Sequence, residues 1–242
     1  MPILCKFAPQ ILSQDEFHAI DKTVMRHAFD IQKEFGRLCD ESICQNELAF
    51  RCQADGLTTV KGAAVCVEHK DFRKLYFLDM LAECGGIYEL KATAALNKNN
   101  DRQLISYLLL AGLNHGKRIN CGPTSVEHRF IPTSLTPENR KKFSLDTRRW
   151  DGSDAESSFL HERLRGLLED WGMFLSVDLY AEALTHFLGG QQKVICPVEI
   201  SAGERALSKQ KTTLIQACIS PPFGKIFRSM KNIWRNSLSI PD

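Results

Sequence analysis

Leu75-Tyr76-Phe77-Leu78-Asp79-Met80-Leu81, then Cys84-Gly85-Gly86, then Ile87-Tyr88-Glu89-Leu90-Lys91, is the stretch that decides the architecture of the first half of the chain. The first run is apolar and aromatic, Cys84-Gly85-Gly86 is a turn signal, and the last run again reads as a strand, so a hairpin is predicted. Asp79 lies inside the apolar strand, where a carboxylate is costly unless it has a partner or a metal. Side chains alternate along a strand, so Glu89 and Lys91 share one face while Tyr88 and Leu90 share the other. With the turn centred near Cys84-Gly85, Asp79 comes within about one residue of facing Glu89, and cross-strand Cβ atoms are ~5 Å apart. Two carboxylates that close repel each other and call for a cation between them. Mg²⁺ takes oxygen ligands and keeps several waters, so one or two carboxylates suffice to hold it. Lys91 would then stand beside the metal, where it could polarise an attacking water and stabilise charge on a phosphate. The spacing alone also fits a solvated strand face with a Glu–Lys pair. The acid inside an apolar strand, and a helix opening soon afterwards with Gln103, favour a site.

Working outward, Ser13-Gln14-Asp15-Glu16 fits a capping box. Behind it Phe17, Ile20, Val24, Ile31 and Phe35 recur at helical spacing as far as Gly36. A second helix is predicted from about 38 to 51, carrying Glu41, Ile43, Leu48 and Ala49. Thr58-Thr59-Val60 and Ala64-Val65-Cys66-Val67 read as two short strands broken at Lys61-Gly62, which together with the hairpin make a meander. Residues 103–112 read as a helix and 117–121 as a further strand. From about Thr133 the composition shifts to polar and basic. Two amphipathic helices follow, one through Leu160, Leu164, Leu167, Leu168 and Trp171 and one through Leu179, Ala183, Leu184 and Phe187. Strand-like runs at 193–200 and 212–219 come next. After Pro221-Pro222 a basic amphipathic tail carries Phe227, Met230, Ile233, Trp234 and Leu238 on one stripe.

Composition excludes several classes of function. A chain of 242 residues makes one large domain or two small ones. Its 31 basic and 29 acidic residues leave a net charge of +2, too balanced for bulk charge to announce a polyanion partner. Nine scattered cysteines with no CxxC pair argue against a disulfide framework or a zinc ribbon. Reduced thiols in a cytoplasmic protein are expected. The first residues are too short in apolar length for a secretory signal, and no apolar run approaches the ~18 residues of a membrane span. The histidines show no HExxH spacing, and no Walker loop is present. Lys117, Arg118, Arg140, Lys141, Lys142, Arg148 and Arg149 read either as a basic rim for a phosphate backbone or as ordinary charged surface. Trp150 would stack on a base or anchor the second half of the chain. The oligomeric state is not legible.

The segment Phe35-Gly36-Arg37-Leu38-Cys39-Asp40-Glu41-Ser42-Ile43-Cys44 resembles the signature of the GxxExxY proteins, a branch of the PD-(D/E)XK nuclease superfamily. Leu78-Asp79-Met80-Leu81 with Tyr88-Glu89-Leu90-Lys91-Ala92 resembles that family's nuclease core. Arg102-Gln103-Leu104-Ile105-Ser106-Tyr107-Leu108 resembles the helix that follows it. The resemblance runs from about His18 to Asn120, with its motifs in the expected order. It departs at Cys44, where the signature has tyrosine, and at Leu38, where it has glycine; no histidine occurs between Asn97 and Asp101.

The resemblance implies an α/β, restriction-endonuclease-like core, a small mixed sheet flanked by helices, with an α+β C-terminal extension. The corresponding domains are a core over 13–130, an accessory region over 131–221 and the tail over 222–242. It implies Asp79 as the main metal ligand, Glu89 as the second, and Glu41 joining them directly or through water. Lys91 would position the nucleophilic water, and Gln103 would flank the site, with Tyr107 on the same helix face. The implied activity is phosphodiester hydrolysis of nucleic acid, DNA ahead of RNA, with Mg²⁺ or Mn²⁺. The alternative is a nuclease fold that has lost the reaction and serves as a nucleic-acid- or protein-binding scaffold; the altered signature at Cys44 motivates it. A thiol enzyme built on Cys39 and Cys44 is a third reading, set behind structural thiols because no Cys/His/Asn set accompanies them.

Overall fold

The computed structural model describes residues 2–94, 98–148, 155–202 and 205–213. Trp150, Arg149 and the tail from 222 onward lie outside the described residues. The chain divides into two compact units at Arg140/Lys141.

In the first unit a short strand β1 (Ile3–Cys5) precedes helix α1 (Gln14–Phe35). Ser13 caps α1 as the sequence predicts: Glu16 N–H donates to Ser13 Oγ at 3.2 Å, and Ser13 N–H donates to Glu16 Oε2 at 2.7 Å. These bonds satisfy two of the helix's orphan donors. Gly36, with φ +68°, ends the helix. One tight turn later helix α2 (Glu41–Ala54) begins, which puts Glu41 at its first position rather than three residues in, as the predicted start at 38 would have it. A carboxylate is favoured there because the helix's first N–H groups are unpaired and positive.

The three central strands are β2 (Thr59–His69), β3 (Phe72–Ala82) and β4 (Gly86–Lys91), consecutive and antiparallel. The predicted break at Lys61-Gly62 is absent, and β2 runs through it as one strand. Gly62 takes φ +61°, a left-handed conformation that costs glycine nothing, so the ladder to β3 continues on both sides of it. Helix α3 (Lys98–Ala111) then carries the chain over to β5 (His115–Asn120), which pairs parallel to β4. An antiparallel edge strand β6 (Glu127–Pro132), which hydrophobic patterning did not reveal, and a single turn α4 (Pro137–Arg140) close the unit. The sheet is mixed and open, ordered β1-β2-β3-β4-β5-β6, and is flanked by helices in a restriction-endonuclease-like α/β arrangement.

Alternation assigns the two faces. Met80, Tyr88, Leu90 and Ile119 pack with Phe17, Val24, Ile31, Leu48 and Cys52 of α1 and α2 in one buried cluster. The opposite face receives α3, which approaches β5 so closely that a methyl at Gly116 would lie 3.0 Å from Leu104. Glu89, Lys91 and Arg118 point to this second face, because each neighbours a residue committed to the first.

The second unit contains α5 (Ala155–Trp171), α6 (Val177–Phe187), a single turn α7 (Gln191–Val194) and a hairpin of β7 (Ile195–Ala202) with β8 (Arg205–Thr213). Both helices follow the predicted apolar stripes, and Trp171 and Tyr180 meet with ring centroids 5.8 Å apart. The second strand covers 205–213, and of the predicted strand 212–219 the residues from 214 onward lie outside the described residues. Among the described residues no helix is long and apolar enough to cross a membrane.

Candidate active site

The hairpin register places the predicted pair opposite each other. Met80 faces Tyr88 and Leu81 faces Ile87, so Asp79 and Glu89 are the next positions in line, just where β3 and β4 stop pairing. The parting of the strands leaves the Leu90 N–H without a strand partner, and Asp79 Oδ2 accepts it at 2.9 Å.

The Lys91 ammonium gathers the acids. Its Nζ lies 2.6 Å from Glu89 Oε1, 3.4 Å from Glu41 Oε1 and 3.7 Å from Asp79 Oδ2, and it donates to the Leu90 carbonyl at 2.8 Å. Glu41 is brought in from α2, fifty positions away in sequence, and Gln45 one turn on reaches its Oε1 at 3.4 Å. Glu89 is 0% exposed, and its Oε2 has no hydrogen-bond partner. Gln103 lies on α3, and its amide donates to Tyr107 Oη at 3.0 Å; Tyr107 is the residue of this pair that feels the charges of Glu89, Asp79 and Lys91. Tyr107 in turn meets the edge of Tyr76 on β3, with centroids 6.3 Å apart.

Three carboxylates around one ammonium carry an excess of negative charge, and the electrostatics show it. Burial, then the neighbouring Asp79, lifts the Glu89 carboxyl to about 7. Burial also raises Asp79, against the pull of the Leu90 N–H and Lys91. Burial works against the Lys91 charge, but Glu89, Asp79 and Glu41 together outweigh it and hold the ammonium above its ordinary value. Burial lifts the Tyr107 phenol, Gln103 partly offsets this, and the acid group adds to the rise.

These shifts predict a pH dependence of stability for the metal-free protein. The folded state holds a proton on Glu89 more tightly than the unfolded chain, whose carboxyl titrates near 4.5. The stability contributed by Glu89 is therefore complete below about 4.5 and is lost as the pH climbs to about 7. Urea midpoints measured across that window fall with rising pH, and the Glu89→Gln protein lacks this component of the slope. An identical slope in the variant would assign the effect elsewhere.

Two features of the site lie outside what the sequence pattern announced. Parallel pairing sets Arg118 directly beside Glu89 and Asn120 beside Lys91. Asn120 is fully buried and clamps the chain leaving β4: its Nδ2 donates to the Thr93 carbonyl at 2.9 Å, and its Oδ1 accepts from Thr93 N–H at 3.0 Å. Gly122 completes the clamp, since a methyl there would run into the Thr93 backbone. The readings of Lys117, Arg118 and Arg140 as a solvent-facing basic rim are corrected. All three are buried, Lys117 in an ion pair with Asp21 and Arg118 in one with Asp101. Alternation along β5 sends Lys117 and Arg118 onto covered faces, where an unpaired charge is not tolerated, and Arg140 is buried on α4. Cys44 is a buried core thiol whose proton is held well above the usual range, by burial first and then by Cys39 and Cys121, so it is not an activated nucleophile.

An open mixed sheet flanked by helices, with Asp79 on one strand and Glu89 and Lys91 on the next at the point where the strands part, is a restriction-endonuclease-like α/β arrangement. Residues 18–130 match the family model of the PD-(D/E)XK nuclease superfamily. Nucleases of this superfamily act on nucleic acid and generally use divalent metal ions. No curated protein and no solved structure matches the chain.

Among the described residues no group of three or more His, Cys, Asp and Glu side chains stands ready to hold a metal. The Lys91 ammonium lies among the acids instead. The donors nevertheless fit a hard cation. They are carboxylate oxygens, one of them buried without a partner, and Mg²⁺ needs only one or two such ligands beside its waters.

Proposed function

We propose that this protein is a metal-dependent nuclease that hydrolyses phosphodiester bonds, with Mg²⁺ or Mn²⁺ held by Asp79 and Glu89 and, directly or through water, by Glu41. The observation that carries this reading is the fully buried Glu89, whose Oε2 lacks any partner while Asp79 stands opposite and Lys91 lies 2.6 Å away. A carboxylate kept dry and half-paired is destabilising unless a cation completes it. An ion bound there supplies Lewis-acid charge for the phosphate and lowers the pKa of a water.

The remaining steps fall to the chain's own groups. Lys91 stays charged through neutral pH and orients the attacking water, its Nζ set by the Leu90 carbonyl and Glu89. The same ammonium faces the charge that develops on the phosphate oxygens. Tyr107 keeps its proton, accepts from Gln103, and so has an O–H left to donate toward substrate. DNA is the preferred substrate over RNA in this reading. The seven free cysteines among the described side chains accord with a reducing, cytoplasmic setting. The core of 13–130 carries the chemistry, and the region after it serves as an accessory.

A cleavage panel tests the proposal. Purified protein and Asp79→Ala meet single- and double-stranded DNA and RNA with Mg²⁺, Mn²⁺ or EDTA. Metal-dependent cleavage that disappears in the variant is expected. The competing reading, a scaffold without turnover, has in its favour that no ready group of three metal ligands is present among the described residues. Folded protein that neither cleaves nor binds Mg²⁺ would establish the scaffold and end the nuclease reading.

A further inference from the structure

Three charged residues lie in one row across three strands. Glu89 on β4 pairs with Arg118 on β5, and Arg118 pairs with Arg129 on β6. Register partners share a face, so the row runs from the candidate active site along the α3 side of the sheet to its β6 edge. One acid, Asp101 in the first turn of α3, serves both arginines: its Oδ1 pairs with Arg118, and its Oδ2 takes Arg129 Nη1 at 2.9 Å. The Arg118 side chain is only 10% exposed, and its Nε has no partner. The Arg129 side chain is 58% exposed.

The charge count separates a structural brace from a binding site. One carboxylate against one guanidinium would close a brace. Here one carboxylate holds two, and the second is delivered to solvent at the edge nearest the acids. A spare positive charge beside a negatively charged site, fixed by a buried partner, is suited to an anion that is already anchored at the neighbouring position. Two strand spacings of about 4.8 Å put the Arg129 backbone about 10 Å from that of Glu89. A long arginine covers much of that gap, and its planar fork matches phosphate oxygens.

We propose that Arg129 binds a phosphodiester of the nucleic-acid backbone next to the one being cut, with Asp101 and the buried Arg118 holding it in position. This rests on the nuclease reading of the adjacent acids and deepens it: the substrate is a polynucleotide gripped at more than one phosphate, not a lone phosphodiester. Arg129 is the contact, and Arg118 is a positioning residue that acts through Asp101.

Binding is measured on full-length protein carrying Asp79→Ala, so that cleavage does not interfere, by fluorescence anisotropy with labelled single- and double-stranded DNA and RNA across a salt series. Adding Arg129→Gln weakens binding and flattens the slope of log K against log salt by about 0.9 for duplex DNA, or about 0.7 for single strands. Arg129→Lys keeps the slope while losing part of the affinity. In otherwise native protein, Arg129→Gln raises KM for an oligonucleotide and leaves kcat and the turnover of a small phosphodiester unchanged. Melting curves confirm that both variants fold. Unaltered affinity and slope in Arg129→Gln would overturn the subsite whatever the cleavage panel shows. Salt-dependent binding that needs Arg129 in a protein that never cleaves would sink the nuclease reading and leave the subsite standing. No binding by the starting protein to any nucleic acid would remove both.

Discussion

Lys91→Met lowers metal-dependent cleavage by about a thousandfold, the scale on which a positioned acid–base group or transition-state donor acts. It also destabilises the metal-free protein. Both effects follow from one geometry. The ammonium sits 2.6 Å from a Glu89 carboxylate that water does not reach, and within 4 Å of Asp79 and Glu41. Methionine keeps the bulk of the side chain and removes the charge together with the bonds it donates to Glu89 and the Leu90 carbonyl. In the proposed mechanism the attacking water then loses the group that orients it, so kcat falls while KM for substrate changes little. In the absence of metal, three carboxylates face one another with no cation. Breaking a buried pair costs about 3–5 kcal/mol when the remaining charge cannot escape, but Glu89 escapes by taking up a proton. The loss of stability is therefore largest above neutral pH and shrinks as the pH falls. Adding Mg²⁺ restores the urea midpoint in proportion to its occupancy. Single-turnover cleavage and urea titrations with and without Mg²⁺ check both halves. A variant that cleaves at the native rate would take Lys91 out of the mechanism.

Asp21→Ala, or Lys117→Met, costs about 3–5 kcal/mol of folding stability, while the double replacement Asp21→Leu/Lys117→Met recovers most of it. Asp21 on α1 and Lys117 on β5 form an ion pair with side chains 13% and 8% exposed. The pair ties the helix to the sheet among the rings of Phe17, Tyr88, His115 and Phe130. Removing one partner strands the other charge in that apolar setting. Asp21 also stands beside the buried Tyr88 hydroxyl, whose proton burial and then the Asp21 charge hold well above the usual range. Removing both charges leaves a site that leucine and methionine can fill. A double-mutant cycle from urea denaturation should give a coupling energy that accounts for most of the single-variant losses. Additive losses would mean that the two residues act separately. In the nuclease reading the cut sites and the metal requirement are unchanged in the double variant, because the pair lies on the sheet face opposite Asp79, Glu89 and Lys91.

The local parts of this molecule were readable before the structure was known. The capping box at Ser13, the stop at Gly36 and the turn at Cys84-Gly85 depend on neighbours a few residues apart. The opposition of Asp79 to Glu89 followed from the turn, and the shared face of Glu89 and Lys91 followed from alternation. Where prediction slipped, a partner outside the segment decided the outcome. Lys61-Gly62 reads as a break, yet the ladder to β3 resumes in register beyond Gly62. The polar run 205–213 has no hydrophobic strand pattern, yet β7 pairs with it. The charge of Lys117 and Arg118 points to the surface, yet each is buried against an acid on a helix.

Turn chemistry and period-two alternation act over a few residues, so the hairpin, the acids and the lysine on it, and the accompanying helices are legible from the chain alone. Contacts from afar are set by packing: Glu41 reaching Lys91, and Arg118 and Arg129 lining up with Glu89. The cause is the crossover through α3. A parallel pair has no turn to set its register, so the alignment of β4 with β5 is chosen by the packing of α3 on one face and of α1 and α2 on the other. That packing carries the charged row to the edge of the site.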